Sequence, residues 1–234
     1  DKTTDEGLFD QPYGFAHQHM AHVATHGGVP VGYWRSVGHS HNAFFIESFM
    51  DELAMQTSQD PLEFRRKLLQ HAPRHLAVLN LAASKADWGG KLTSGHTHGI
   101  ALHESFGSIV AQVVEVSVQD GAPRVHRVVC AIDCGTVVNP GIVAQQLEGA
   151  VIFGLTAALY SRIDIRGGTV QQRNFPDYPM VKLAQAPQVE TWIVPSQRPP
   201  GGVGEAGVPP LAPALGNALF LITGQRARTL LLRV

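Results

Sequence analysis

Charge is scarce in this sequence. Asp, Glu, Lys and Arg make up 16% of its 234 residues, against roughly 25% in an average soluble domain. So few charges coat little free surface, and much of the chain is expected to be covered by other protein. Eighteen Lys and Arg balance 19 Asp and Glu for a net charge of −1, and no basic block stands out. That excludes an electrostatic footprint for nucleic acid or an anionic membrane surface. Long apolar runs are lacking too; a stretch such as 218–223 is far short of a membrane span, so none is expected. Only two cysteines occur, Cys130 and Cys134. Two cannot define a disulfide framework, and C-x3-C alone is a poor metal motif, which leaves buried free thiols. The sequence opens at Asp1 with neither Met nor a signal-like apolar stretch, and is expected to be a piece of something larger. It assigns no compartment: the cytoplasm and the periplasm of a bacterium both remain open.

What is present reads as α+β. Residues 42–57 carry apolar positions 45, 46, 49, 50, 53 and 54 at helical spacing, with Glu47, Asp51 and Glu52 between them. A second helix follows: Asp60 suits the N-cap, Pro61 the first helical position, and Glu63 a capping box. From Gly99 the pattern turns to period 2. SIVAQVVEVSV and RVHRVVCAIDCG are joined through QDGAP as an antiparallel pair. Pro140 opens a long apolar helix to Tyr160. A strand pair turns at Arg166-Gly167-Gly168, residues 189–194 form a further strand, and 212–228 a closing helix. The chain divides into a helical-hairpin part, 1–94, and an α+β part, 95–234. Helices packed on antiparallel sheets are the expected architecture.

Residues 201–210 read GGVGEAGVPP, in which 202–207 spell G-x-G-x-x-G. A dinucleotide fingerprint needs a strand directly before its first Gly and a helix opening at its last. Here six residues, PSQRPP, separate the strand from the loop. Prolines at 209 and 210 push the residues before them away from helical geometry, and Glu205 would point a carboxylate at an anion. The fingerprint reading fails. A surface turn remains open, as does a rigid mount: glycines permit close approach, prolines remove slack, and the one carboxylate so held is suited to proton abstraction.

Seven segments in order resemble the molybdenum hydroxylases, the xanthine dehydrogenase and aldehyde oxidase family. The likeness is to the large subunits in its isoquinoline oxidoreductase and bacterial aldehyde dehydrogenase branch. They are VPVGYWRSVGHSHNAFFIESFMDELA (29–54), DPLEFRRKLL (60–69), GIALHESFGSIVAQVVEV (99–116), VVCAIDCGTVVNP (128–140), QQLEGAVIFGLTAAL (145–159), NFPDYPM (174–180) and GGVGEAGVPPLAPALGNAL (201–219). The resemblance implies oxidative hydroxylation of an aldehyde or an N-heterocycle, with water as the oxygen source, at a molybdenum–molybdopterin centre, in the cytosine dinucleotide form. By position in G-V-G-E, Glu205 matches the family's base. Arg35 in WRSVG matches an arginine that stabilises charge developing on the substrate, although Trp34 and Ser36 depart from the family's F-R-G; a structural ion pair is its other reading. Arg65 or Arg66 falls where the family has an arginine near the pterin, and Arg65 aligns better. Backbone amides of Gly201, Gly202, Val203 and Gly204 are implied to lie beside the pterin.

Asn139 is expected to cap the helix that Pro140 opens, and Gln146 and Glu148 on that helix to support the site. Three H-x-H pairs, His17/His19, His39/His41 and His96/His98, would each share a face in a strand, which leaves a histidine metal carrier as one competing reading. A non-catalytic scaffold of the same family is another. The family's GGGFG and M-G-Q-G segments do not occur, so the remaining part of the large subunit is expected as a partner. A small iron–sulfur subunit is expected to supply the two-iron two-sulfur clusters, because this chain lacks the cysteines for them. The chain purified alone should therefore retain no molybdenum; elemental analysis finding stoichiometric metal would refute that.

Overall fold

The structure is a computed structural model that describes residues 3–25 and 27–234. Five α-helices, α1 Val37–Gln56, α2 Pro61–Leu68, α3 Pro73–Lys85, α4 Pro140–Leu159 and α5 Leu211–Thr223, surround a four-stranded sheet. Its strands are β1 Thr97–Ser105, β2 Ser108–Gln119, β3 Ala122–Asp133 and β6 Gln188–Ile193, in the order β1-β2-β3-β6. A two-stranded ribbon, β4 Ile165–Arg166 with β5 Thr169–Val170, turns at Gly167-Gly168 as expected.

The sheet departs from the expected antiparallel pattern in two ways. Strand β1 precedes the expected pair and folds back at Phe106-Gly107, with φ 53° and 77°. Both turn residues in left-handed geometry make a primed hairpin turn, which usually advertises itself as Asn-Gly; a Phe hides it. Strand β6 joins β3 in parallel, Arg127 facing Gln188, so the sheet is mixed.

Alternate side chains feed two separate cores. Val110, Val114, Val128, Cys130 and Ile132 face α4 and α5 on one side. Ile109, Ala111, Val113, Val129 and Ala131 face α2 and α3 on the other, joining helices of 1–94 to strands of 95–234 in a single cluster. A strand buried on both faces reads as a continuous apolar run, which explains the density of Val and Ala in β2 and β3. Both cysteines are buried and unbridged, and burial pushes the Cys130 thiol up. Asn139 caps α4 by accepting the Ile142 amide at 3.2 Å. At 20 residues with mean hydropathy 1.5, α4 is long and apolar enough to cross a membrane by length and composition only. Here one of its faces, Val143, Leu147, Val151 and Leu155, lies in the core.

Helix α1 buries Ile46, Met50 and Ala54 as its spacing implies, but its buried face is rotated to take in two acids as well. Phe45 and Phe49 are about half exposed, whereas Glu47 and Asp51 are buried. The reason is electrostatic. Glu47 Oε2 accepts Arg65 Nε and the Leu102 amide, both at 2.9 Å, and its Oε1 accepts the Tyr13 hydroxyl at 2.5 Å. Arg65 Nη2 and Asn217 Nδ2 donate to the Glu47 carbonyl. Arg226 donates to Asp51 at 2.6 Å. With every charge met, burial is tolerated, and the Tyr13 phenol is pushed up by burial and by the Glu47 charge. Arg65 is thus occupied inside the fold, its side chain fully buried. Expected near the pterin, this side chain spends its hydrogen bonds on Glu47 and the Pro61 carbonyl.

A second buried contact ties α1 to β1: His39 Nδ1 lies 2.9 Å from His103 Nε2. Burial, and the neighbouring His39 and His75, push the His103 imidazole down to about 3.

Two outcomes follow for stability. Glu47→Gln strands a buried guanidinium and should cost about 3–5 kcal/mol in urea unfolding; a loss below about 1 kcal/mol would contradict the network. His103 is kept neutral in the fold but takes a proton near pH 6.5 when unfolded. The unfolded chain therefore binds more protons between about pH 6.5 and pH 3, and stability, complete above that window, should fall as pH drops through it. In His103→Gln the acid-side slope should flatten; an unchanged slope in thermal melts across that window would refute the assignment.

Candidate active site

The loop 201–210 is held from three sides. The Asp133-Cys134-Gly135 turn at the end of β3 supports it first: the Gly201 amide donates to the Cys134 carbonyl at 2.9 Å, and the Thr136 amide to the Arg198 carbonyl at 2.9 Å. Asp133 braces that turn, accepting the Gly135 amide at 3.0 Å and Arg74 Nε at 2.7 Å. The β1–β2 turn is the second support, because the Gly202 amide donates to the Phe106 carbonyl at 2.7 Å. At Gly201 a Cβ would sit 2.6 Å from Ser108 Oγ and 2.7 Å from the Gly107 carbonyl oxygen, so only glycine lets the loop come this close. The third support is α4: a Cβ on Gly207 would press to 2.7 Å from Leu147. Buried Gln112, from β2, donates to the Gly207 carbonyl at 2.8 Å. Pro210 then leads into α5. The loop is a rigid mount, and no helix opens at its last glycine.

Glu205 meets residues from the other end of the sequence. In the turn before α1, the Val37 amide closes on the Trp34 carbonyl at 2.9 Å. Ser36 and Val37 both have left-handed backbone, φ 76° and 49°, uncommon for Ser and an outlier for a β-branched residue. From that turn the Ser36 amide donates to Glu205 Oε1 at 2.9 Å, and the Ser36 hydroxyl donates to the Glu205 carbonyl at 2.8 Å. Arg35 Nε donates to the Gly204 carbonyl at 2.9 Å, and its Nη2 reaches the same oxygen. Nη2 also lies 3.4 Å from Gln146 Oε1 on α4. Beneath, the Arg35 guanidinium covers the Phe153 ring at 5.4 Å, and Trp34 packs on that ring at 4.7 Å. Residues 169 positions apart thus make one constellation of Arg35, Ser36, Gly204 and Glu205. No donor among the described residues meets Glu205 Oε2.

The other expected site residues divide. Gly201 and Gly202, expected beside the pterin, donate their amides to the Cys134 and Phe106 carbonyls inside the protein. Val203 and Gly204 follow on a partly exposed stretch, and their amides have no acceptor among the described residues. Gln146 reaches Arg35 as expected of a supporting residue, whereas Glu148 is exposed on α4. The H-x-H pairs do not assemble. His17 and His19 are exposed, His39 and His41 stand on a helix instead of a strand, and His96 binds Glu115 at 2.6 Å. Among the described residues no group of three or more His, Cys, Asp or Glu could hold a metal ion. Ser36 was visible in the sequence only as a departure from a pattern. Its hold on Glu205 depends on a left-handed φ that a serine does not announce.

Residues 47–187 match the family described as the molybdopterin cofactor-binding domain. The chain is 37% identical over 210 residues to the beta subunit of isoquinoline 1-oxidoreductase from Brevundimonas diminuta, covering 88% of this chain and 27% of that protein. It is 30% identical over 239 residues to a nicotinate dehydrogenase subunit of Pseudomonas putida, covering 94% of this chain and 20% of that one. With a membrane-bound aldehyde dehydrogenase of Gluconacetobacter polyoxogenes it shares 31% over 222 residues, 84% of this chain and 28% of the relative. The chain thus spans between a fifth and a third of these relatives. Its fold is like that of quinoline 2-oxidoreductase from Pseudomonas putida 86, with TM-score 0.71 at 12% identity over 86% of this chain and 52% of that one. It is also like the aldehyde oxidoreductase of Desulfovibrio desulfuricans, with TM-score 0.68 at 14% identity over 83% of this chain and 40% of that one. With the match over residues 47–187 and the identity to the isoquinoline oxidoreductase protein together, the chain belongs to the molybdenum hydroxylase large-subunit family, as a molybdopterin-binding portion of it.

Proposed function

We propose that this chain supplies the general base of a molybdenum hydroxylase, and that Glu205 is that base. The observation that carries the reading is the convergence of Arg35 and Ser36 on Gly204 and Glu205, with Oε2 left without a donor. A proton acceptor needs a fixed position and a free lone pair, and this carboxylate has both.

The residues present fit a pterin group in part. The amides of Val203 and Gly204, on a partly exposed stretch beside Glu205, are the donors that would hold it. When bound, a molybdenum–pterin group, in the cytosine dinucleotide form on this reading, would supply the two-electron oxidation and the activation of water. Glu205 Oε2 takes the proton released as water-derived oxygen adds to an electron-poor carbon. Arg35 keeps a permanent positive charge within one residue of that carboxylate, where it stabilises negative charge that develops on the substrate. The rigid support under 201–207 keeps the distance from base to substrate constant, as proton transfer requires.

The substrate class is an aldehyde or an N-heterocycle, the chemistries named for the relatives. The partners are the remaining part of a large subunit and a small subunit with two-iron two-sulfur clusters. Glu205→Gln should abolish turnover, by at least about 10²-fold, in the assembled enzyme while molybdenum and pterin content stay near wild type. A normal kcat in that variant would end the assignment. Loss of activity together with loss of cofactor would make Glu205 a binding residue instead.

A further inference from the structure

We propose that Ser36 is a positioning residue for Glu205, gripping the base at two points. The proposal rests on the reading of Glu205 as base and assigns a role to a residue that family comparison marks only as a departure. The Ser36 amide holds carboxylate Oε1 at 2.9 Å, and the Ser36 hydroxyl holds the backbone carbonyl of the same residue at 2.8 Å. One residue thereby fixes both ends of the glutamate, leaving side-chain torsions between two anchored points. The grip needs left-handed backbone at Ser36, φ 76°, to bring amide and hydroxyl to the same side. A residue so placed is held there by its surroundings: Ser36 is fully buried, the Val37 amide closes the turn on Trp34, and Arg35 secures the adjoining Gly204 carbonyl. The hydroxyl does not cap α1, because the helix has no side-chain cap hydrogen bond. Its one donated bond goes to Glu205.

Two substitutions separate this role from a structural one. Ser36→Gly tolerates positive φ, keeps the amide bond to Oε1 and deletes only the hydroxyl. Ser36→Asn also tolerates left-handed backbone and restores a side-chain donor. In the assembled, cofactor-loaded enzyme, Ser36→Gly should lower kcat about tenfold, the effect of one buried hydrogen bond, with KM and molybdenum content unchanged. Amide hydrogen exchange across 201–208 should speed up, and Ser36→Asn should recover most of both. Wild-type kcat and wild-type exchange in Ser36→Gly would overturn the proposal, as would a raised KM or lost molybdenum at unchanged kcat. Glu205→Gln runs alongside as the control. Full turnover there overturns the base reading, while the exchange rates of 201–208 in Ser36→Gly still decide whether Ser36 holds the loop.

Discussion

The Glu47 carboxylate, buried and paired with Arg65, is the constraint from which the rest of the arrangement follows. It ties four parts of the chain to α1: the N-terminal segment through Tyr13, α2 through Arg65, β1 through the Leu102 amide, and α5 through Asn217 on its carbonyl. An apolar contact would tolerate sliding. A buried carboxylate with two hydrogen-bonded oxygens does not, because any displacement strands a charge in low dielectric at a cost of several kcal/mol. The helix is thereby fixed in rotation as well as position, which is why Phe45 and Phe49 face outward while two acids face in.

That fixed rotation positions the site. The turn carrying Arg35 and Ser36 leads into α1, and the loop carrying Glu205 leads into α5. Helices α1 and α5 pack against each other, so the segments that precede them can meet without strands of their own between them. Left-handed geometry at Ser36 and Val37 costs about 1–3 kcal/mol per residue and persists only where the surroundings determine it. Downstream the Glu47 network anchors the helix; upstream Trp34 and Arg35 lie on Phe153 of α4. The strain is located where the segments preceding α1 and α5 meet, and the group held there is Glu205.

How much of this was legible in the sequence depends on range. Local chemistry read well. Asp60 with Pro61 starts α2, Asn139 with Pro140 starts α4, and Gly167-Gly168 turns the small ribbon, because caps and turns are written in adjacent residues. The Phe106-Gly107 turn was hidden because its backbone is unusual and its first residue is not. The parallel β6 and the buried face of α1 were hidden because each is decided by partners far away. Glu47 looks like a solvent-facing acid until Arg65, Tyr13 and Leu102 are placed around it. At the site, the glycine loop that carries Glu205 was legible as a mount. The use of the Gly201 and Gly202 amides inside the fold was not.

Scarce charge takes on a second meaning beside this geometry. A sheet covered on both faces accounts for the apolar strands, yet Phe45, Phe49, Val138, Phe175 and Leu183 remain largely exposed. Single exposed apolar residues are ordinary, but here they accompany a chain that spans about a quarter of the isoquinoline oxidoreductase protein it resembles. A hydroxylase site must also exclude water around its base, since bulk solvent would screen the charges that hold it and compete for the proton. In this chain Glu205 is only partly buried, and Gly202 and Gly204 beside it are exposed. On the proposed reading the constellation would form one wall of a cavity: the loop that carries Glu205 is already held by its own fold, and the desolvation a base needs would fall to the polypeptide proposed to cover it.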